Sequence, residues 1–384
     1  MVAGVLLITV AGAGAATYRR AHAAGSTASA SASGRRPTPR PADGTKIREI
    51  VAGESRSCAL YMNGTVVCWG ESERTGTGPH DDPSPRPIEG LTDAVAVTIG
   101  DSHGCALDAA GRVTCWGYCD LACQNGNGPL LFAKPTLIAE LPPLTTMGSE
   151  TYEDATCGVG ADDEELHCWT VMSAGATWFG DPVPARIFVY GAELMRERNG
   201  RFARGAHAGA VDLVSSSMGV SCARFRDDHA RCWSEGMTDG DHLPFASLEA
   251  PRAAVARMAA GIPETCFVLV SGDVECHSTD GILRVPFGKP MRTAAAAGNA
   301  VCGTAVDGSL LCQRYDWQPG GDRNIARLQR GATFEPHVRD VGGPARAIVS
   351  GRHHFCVLRA DDAVYCWNEY DRAAPERVAL PATQ

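Results

Sequence analysis

The chain has 384 residues, 44% apolar and 21% charged, the mixture of a folded soluble protein and not of a disordered or polytopic membrane one. Its length exceeds the ~100–200 residues of an ordinary single domain. A net charge of -9 gives no basic footprint for phosphate, which argues against nucleic acid as a partner.

Residues 2–16, VAGVLLITVAGAGAA, are apolar and uncharged. The run is shorter than the ~20 residues of a spanning helix. It resembles the apolar part of a secretory signal, with Ala13-Gly14-Ala15 as cleavage site. No Lys or Arg precedes it, so 1–16 is assigned as a signal peptide or a membrane anchor, both readings open. Residues 17–43 are rich in Ser, Ala, Gly, Pro and Arg and read as a disordered linker. Arg19, Arg20, Arg35, Arg36 and Arg40 are expected to be solvated, with anionic lipid or polysaccharide as the second reading. Membrane contact is expected only through this N-terminal segment.

From residue 44 on, the cysteines reveal a repeat. Six pairs share the spacing C-x9-C: Cys58/Cys68, Cys105/Cys115, Cys222/Cys232, Cys266/Cys276, Cys302/Cys312 and Cys356/Cys366. Cys157/Cys168 has one residue more. Recurrence at this spacing is the mark of a repeat architecture. Each unit reads as a β-hairpin. A three-residue loop, Met62-Asn63-Gly64, sets Cys58 opposite Cys68. Such loops end in the left-handed region, where Gly fits. Gly64, Gly111, Gly272 and Gly308 hold that place, and Asp228 and Asp362, which tolerate positive φ, hold it in two more. The Cys157 unit needs a four-residue loop without Gly.

Opposed cysteines on antiparallel strands have the separation of a disulfide. Zinc is the weaker reading, because structural zinc favours C-x2-4-C pairs. Disulfides within the hairpins imply an oxidising compartment, in agreement with the leader. Cys119 and Cys123 are expected to form a small local disulfide on a loop, with a redox or metal site as the alternative.

A small-residue strand precedes most hairpins: 47–53, 94–100, 254–261, 292–298 and 346–351. Its alanines favour helix by propensity. The Gly endings, and the crowding expected where sheets converge on an axis, favour strand. Pro-led segments, Pro85–Ile88 and Pro182–Ile187, are read as fourth strands leading into the next unit. The matching Pro375–Leu380 then has the first unit as its partner. The expected fold is all-β: a seven-bladed β-propeller of four-stranded antiparallel blades over 44–384, its ring closed by the C-terminal strand.

Gly53-x4-Cys58-Ala59-Leu60, Asn63-Gly64-Thr65-Val66 and Cys68-Trp69-Gly70 together resemble the regulator-of-chromosome-condensation type repeat, more closely its bacterial, cysteine-paired form. Gly100-x2-His103-x-Cys105-Ala106-Leu107 and Cys115-Trp116-Gly117 match it as well. Cys-Trp recurs at Trp169, Trp233 and Trp367, while His277 and Gln313 depart from it. The resemblance implies the fold and leaves function open. The family's eukaryotic founder exchanges guanine nucleotide and binds chromatin, work for another compartment. Secreted bacterial relatives include protein inhibitors of β-lactamases, which implies a face able to bind protein.

The recurrent tryptophans Trp69, Trp116, Trp169, Trp233 and Trp367 read as core packing in preference to a ligand-stacking array. Trp178 and Trp317 fall outside the register and are the candidate partner-binding residues. The acidic clusters Asp81-Asp82, Asp162-Asp163-Glu164-Glu165, Asp227-Asp228 and Asp361-Asp362 could be glycosidase carboxylates or calcium ligands. The last three fall on hairpin turns, where Asp is common for local reasons. His103, His353 and His354 stand just before a hairpin cysteine, a place that the resemblance implies is structural. His207, His229, His242 and His337 are scattered. No nucleophile elbow, phosphate loop or dinucleotide turn is present.

The expected function is that of an exported, non-catalytic scaffold, monomeric, with neither cofactor nor metal. It would bind a protein or other macromolecule through rim loops, chiefly 170–209 and 314–344. A polysaccharide hydrolase or lyase and a structural envelope module are the alternatives.

Overall fold

Pairing in the chain radiates from the cysteine hairpins. The structure is a computed structural model. It describes residues 46–382 except 71–82, 101–102, 118–131, 150–154, 163–165, 173–176, 179–180, 183–185, 192–209, 217–219, 235–249, 260, 262–264, 279–280, 299, 315–336 and 369–373. The leader and linker, 1–43, lie outside the described residues, as do Cys119 and Cys123.

Among the described residues every helix or strand is a strand, and six sheets are four-stranded. Sheet 1 is Ile47–Ala52, Arg56–Tyr61, Val66–Gly70 and Arg86–Pro87, side by side in that order. Sheet 2 is Ala94–Ile99, His103–Asp108, Val113–Gly117 and Phe132–Leu137. Sheet 3 is Leu144–Ser149, Ala155–Gly160, Leu166–Met172 and Arg186–Gly191. Sheet 4 has three described strands, Ala210–Ser216, Val220–Phe225 and Ala230–Ser234. Sheet 5 is Val255–Ala259, Thr265–Leu269, Val274–Ser278 and Gly281–Val285. Sheet 6 is Met291–Ala297, Ala300–Ala305, Leu310–Arg314 and His337–Val338. Sheet 7 is Ala345–Ser350, His354–Arg359, Val364–Asn368 and Glu376–Arg377.

The hairpin registers are those the cysteine spacing predicts. Each hairpin cysteine lies directly opposite its mate, the longer-spaced Cys157 and Cys168 included. Disulfides join Cys58–Cys68, Cys105–Cys115, Cys222–Cys232, Cys266–Cys276, Cys302–Cys312 and Cys356–Cys366. Cys157 is also disulfide-bonded. The residue closing each three-residue loop has positive φ, at Gly64, Gly111, Gly272 and Gly308 and at the two aspartates, Asp228 and Asp362.

Gly64 needs its missing Cβ twice over: φ is +88°, and a Cβ would come within 2.5 Å of the Thr92 carbonyl oxygen. That approach serves a bond repeated at successive junctions. The loop-closing carbonyl accepts the first-strand amide of the following sheet: Gly64 from Ala94, Gly111 from Leu144, Asp228 from Val255, Gly272 from Met291, Gly308 from Ala345, at 2.6–3.2 Å.

The alanine-rich first strands are strands, as crowding predicts. Ala294 to Ala297 of sheet 6 are buried, and this strand packs against the first strand of sheet 7. At the strand ends, a Cβ on Gly53 would meet the Gly100 carbonyl oxygen at 2.5 Å, and one on Gly351 would strike the Gly53 carbonyl.

The expected ring closure is corrected. Pro-led segments pair with the hairpin before them, not after: Pro87 lies opposite Val67 and Arg86 opposite Cys68. Glu376–Arg377 accordingly pairs with Val364–Asn368 and completes sheet 7, not sheet 1. The outer edge of sheet 1 is already occupied, whereas that of sheet 7 would otherwise be bare. Likewise the fourth strand of sheet 3 is Arg186–Gly191, while Asp181–Pro182 pairs with Thr177–Trp178 in a two-stranded sheet.

Both faces of the sheets are buried. In sheet 1, Cys58, Leu60, Val66 and Cys68 pack toward sheet 2 with Val97, Ile99 and Trp116. Ala59, Tyr61, Val67 and Trp69 pack toward sheet 7 with Cys356, Leu358 and Val364. A rule follows: the disulfide of one sheet shares a core with the Trp after the second cysteine of the next. Cys105–Cys115 shares one with Trp169, and Cys302–Cys312 with Trp367. Where His277 replaces Trp, Phe267 fills the space beside Cys222–Cys232, with its ring edge-on to His277 at 4.9 Å.

Candidate functional site

Antiparallel pairing gives each sheet two ends. At the hairpin end lie the tight turns and the junction bonds to the next sheet. At the opposite, open end lie the first-to-second-strand turns and the ends of the third strands, as Gly70 beside Arg56 shows. In the six sheets whose fourth strand is described, the third-to-fourth-strand connections leave from the open end. They run from 279–280 in sheet 5 to 118–131 in sheet 2, 173–185 in sheet 3 and 315–336 in sheet 6. At the hairpin end the turns are tight and the connections 88–93, 138–143, 286–290 and 339–344 are short, with 192–209 the long exception.

The predicted segment 170–209 is therefore split. Residues 173–185 leave from the open end, but 192–209 link the fourth strand of sheet 3, at its hairpin end, to sheet 4. Trp178 lies on the two-stranded sheet within the first part. Trp317 lies outside the described residues. Trp69, Trp116, Trp169 and Trp367 are buried in cores, as packing predicts. Trp233 stands opposite Ser221 in the expected register.

The turn aspartates do local work. Asp227 accepts the His229 amide and Asp361 the Ala363 amide, at 3.2 and 3.3 Å. Asp81-Asp82 and 163–165 lie outside the described residues. Among the described residues no group of three or more His, Cys, Asp or Glu side chains is placed to hold a metal ion.

Sheets 7 and 1 meet where no peptide links neighbouring sheets. Here a side chain replaces the usual carbonyl: the Ile47 amide donates to Asp362 Oδ1 at 3.3 Å. Arg346 pairs with the same oxygen and also donates to the Ile47 carbonyl. Arg346 is the bulged second residue of its first strand, as Arg48 is in sheet 1, where it donates to the Val95 carbonyl of sheet 2 at 2.7 Å. At the open end Arg352 pairs with Glu54. The Tyr61 hydroxyl donates to the Pro381 carbonyl at 3.1 Å. Burial and then the Asp362 charge push its pKa up.

Beside these, His354 Nε2 lies 2.9 Å from Ser57 Oγ. A serine–histidine pair invites a catalytic reading, but Ser57 is only 1% exposed and closed to substrate. The same join recurs between sheets 2 and 3, where His103 Nε2 meets Thr156 Oγ1 at 2.7 Å, both fully buried. Each of these histidines bonds a hydroxyl of the adjoining sheet.

Burial, and then the nearby His353, lower the His354 pKa from 6.5 to about 4. The unfolded chain takes up this proton near pH 6.5 and the folded one only near 4. The stability contributed by neutral His354 is therefore complete above 6.5 and lost as pH falls toward 4. Denaturation midpoints followed by circular dichroism should drop across that window, and drop less in His354→Gln. Equal slopes in both proteins would contradict this.

Sequence reading missed the junction partners. Ser57 and His354, or Arg346 and Ile47, are remote in the chain, and no local pattern joins them. The bulge arginines had one signal, an arginine second in a strand whose first, fourth and fifth residues are apolar.

No known family profile matches the chain, and neither does any curated protein sequence. Among solved structures, the CRINKLY WD40 ectodomain of the Arabidopsis thaliana receptor kinase ACR4 is similar with TM-score 0.50 and 18% identity, over 86% of this chain and 97% of that one. Yeast RCC1 (Prp20), solved with Kap60, is similar with TM-score 0.46 and 14% identity, over 88% of this chain and 76% of that one. At such identities the likeness is one of fold alone. The fold is that of a β-propeller repeat protein.

Proposed function

We propose that the chain is an exported, non-catalytic, seven-bladed β-propeller of the cysteine-paired kind that binds a protein through the loops of its open end. In this reading the ring closes by packing of sheet 7 on sheet 1. The single observation that carries the binding face is topological: the third-to-fourth-strand connections of the six four-stranded sheets, the long ones 173–185 and 315–336 among them, leave from one end, whereas at the hairpin end the connections 88–93, 138–143, 286–290 and 339–344 are short and 192–209 alone of these inter-sheet connections is long. The disulfides support an oxidising compartment and so export. Trp178 and Trp317, both on those two connections, are the proposed contact residues.

The test is capture from the native envelope with the purified, oxidised protein. A stoichiometric partner is expected with the intact chain. It should be lost when 315–336 is replaced by a short Gly-Ser linker, with the cooperative melting transition retained. Capture that survives replacement of both 173–185 and 315–336 would overturn the assignment.

A further inference from the structure

The disulfide of sheet 7 is set apart by exposure. Cys366 is half-buried, whereas Cys356 and the half-cystines of the other described disulfides are buried. Its outer side carries a fourth strand of two residues, Glu376–Arg377, both exposed, as short as the strands opposite Cys68 and Cys312. A hydroxyl lies on the partner sulfur: Ser57 Oγ is 3.4 Å from Cys356 Sγ.

The direction of that hydrogen bond follows from chemistry. A disulfide sulfur carries no proton, so Ser57 is the donor. Its single proton is then committed, and its contact with His354 requires a ring N–H at Nε2. The chain of donors runs from His354 Nε2–H to Ser57 Oγ–H to Cys356 Sγ. A hydrogen bond to an incipient thiolate stabilises it, and a better leaving thiolate departs faster.

We propose that Cys356–Cys366 is a thiol-exchange site, attacked at Cys366 by an external thiolate with Cys356 as the leaving group. The attacking sulfur bonds to Cys366 Sγ, the S–S bond breaks, and its electron pair leaves on Cys356 Sγ. That thiolate keeps the Ser57 hydrogen bond and takes a proton from solvent. A second external thiolate attacks the sulfur of the first, releases Cys366 as a thiolate that is then protonated, and leaves the two external sulfurs joined. Two external thiols are oxidised and one protein disulfide is reduced. The reaction removes a crosslink that packs on sheet 1, at the junction no peptide spans.

The test uses the oxidised full chain and reduced glutathione in neutral buffer without denaturant. Samples are quenched with acid, alkylated and mapped by peptide mass. Among the described disulfides, Cys356–Cys366 should open first, with glutathione trapped on Cys366. Ser57→Ala should slow that opening by on the order of threefold, and Ser57→Thr should restore it. Opening of Cys266–Cys276, which is buried and has Val301 at the place that Ser57 holds, reports global unfolding in the same samples. Another described pair opening first, all opening at one rate, or glutathione trapped on Cys356 would overturn the site. A Ser57→Ala rate equal to or above that of the native protein would overturn the role of the hydroxyl.

Discussion

Full reduction is expected to abolish the cooperative melting transition at neutral pH. Six described disulfides each close a loop with a sequence separation of 10. In the chain-entropy picture each contributes about 3 kcal/mol. Their sum, roughly 18 kcal/mol, exceeds the ~5–15 kcal/mol of stability a domain ordinarily has. The packing compounds the loss, because a disulfide and the aromatic of the next sheet share a core, as Cys58–Cys68 does with Trp116. The measurement is circular dichroism of protein reduced in denaturant, returned to native buffer with reductant, and compared with the oxidised chain. A reduced chain that still melts cooperatively, at a temperature near that of the oxidised one, would show that core burial alone carries the fold.

The parts of this fold that could be read from sequence are the local ones. A C-x9-C spacing with Gly or Asp closing the turn leaves one register, and the structure has it at Cys58/Cys68 and in the other hairpins. The recurrence of the Cys-Trp step at one place in the repeat marked the tryptophans as core, and Trp69, Trp116, Trp169 and Trp367 are buried. What failed was non-local. Arg86–Pro87 has the same pattern whether it pairs with the hairpin before or after it, so the sequence left its sheet undetermined. That ambiguity carried through to the chain end and produced the wrong partner for Glu376–Arg377. The candidate site was legible as a pair of long insertions, but not their division between two ends, which depends on where Arg186–Gly191 pairs.

Deleting residues 375–384 should lower stability by about 4 kcal/mol, with most of that loss from beyond the strand. Glu376–Arg377 supplies two exposed residues on the edge of sheet 7. The residues that follow do more. The Val378 amide donates to the Val364 carbonyl at 2.9 Å, as Ile88 does to Val66 and Ile138 to Val113 in internal connectors. Val378 and Leu380 then pack against the core that sheets 1 and 7 share, and the Pro381 carbonyl accepts the Tyr61 hydroxyl. The tail is thus a connector that reaches the first sheet without a peptide bond to it. Two partly buried aliphatic side chains contribute about 2–3 kcal/mol and the hydrogen bonds about 1 kcal/mol each. Urea denaturation of the truncated chain gives the total. The variant Val378→Asp, Leu380→Asp keeps the strand and removes the packing, and should reproduce more than half of the loss. If that double variant is as stable as the native chain while the truncation is not, strand pairing and not connector packing holds the last sheet, and the proposed route of ring closure fails.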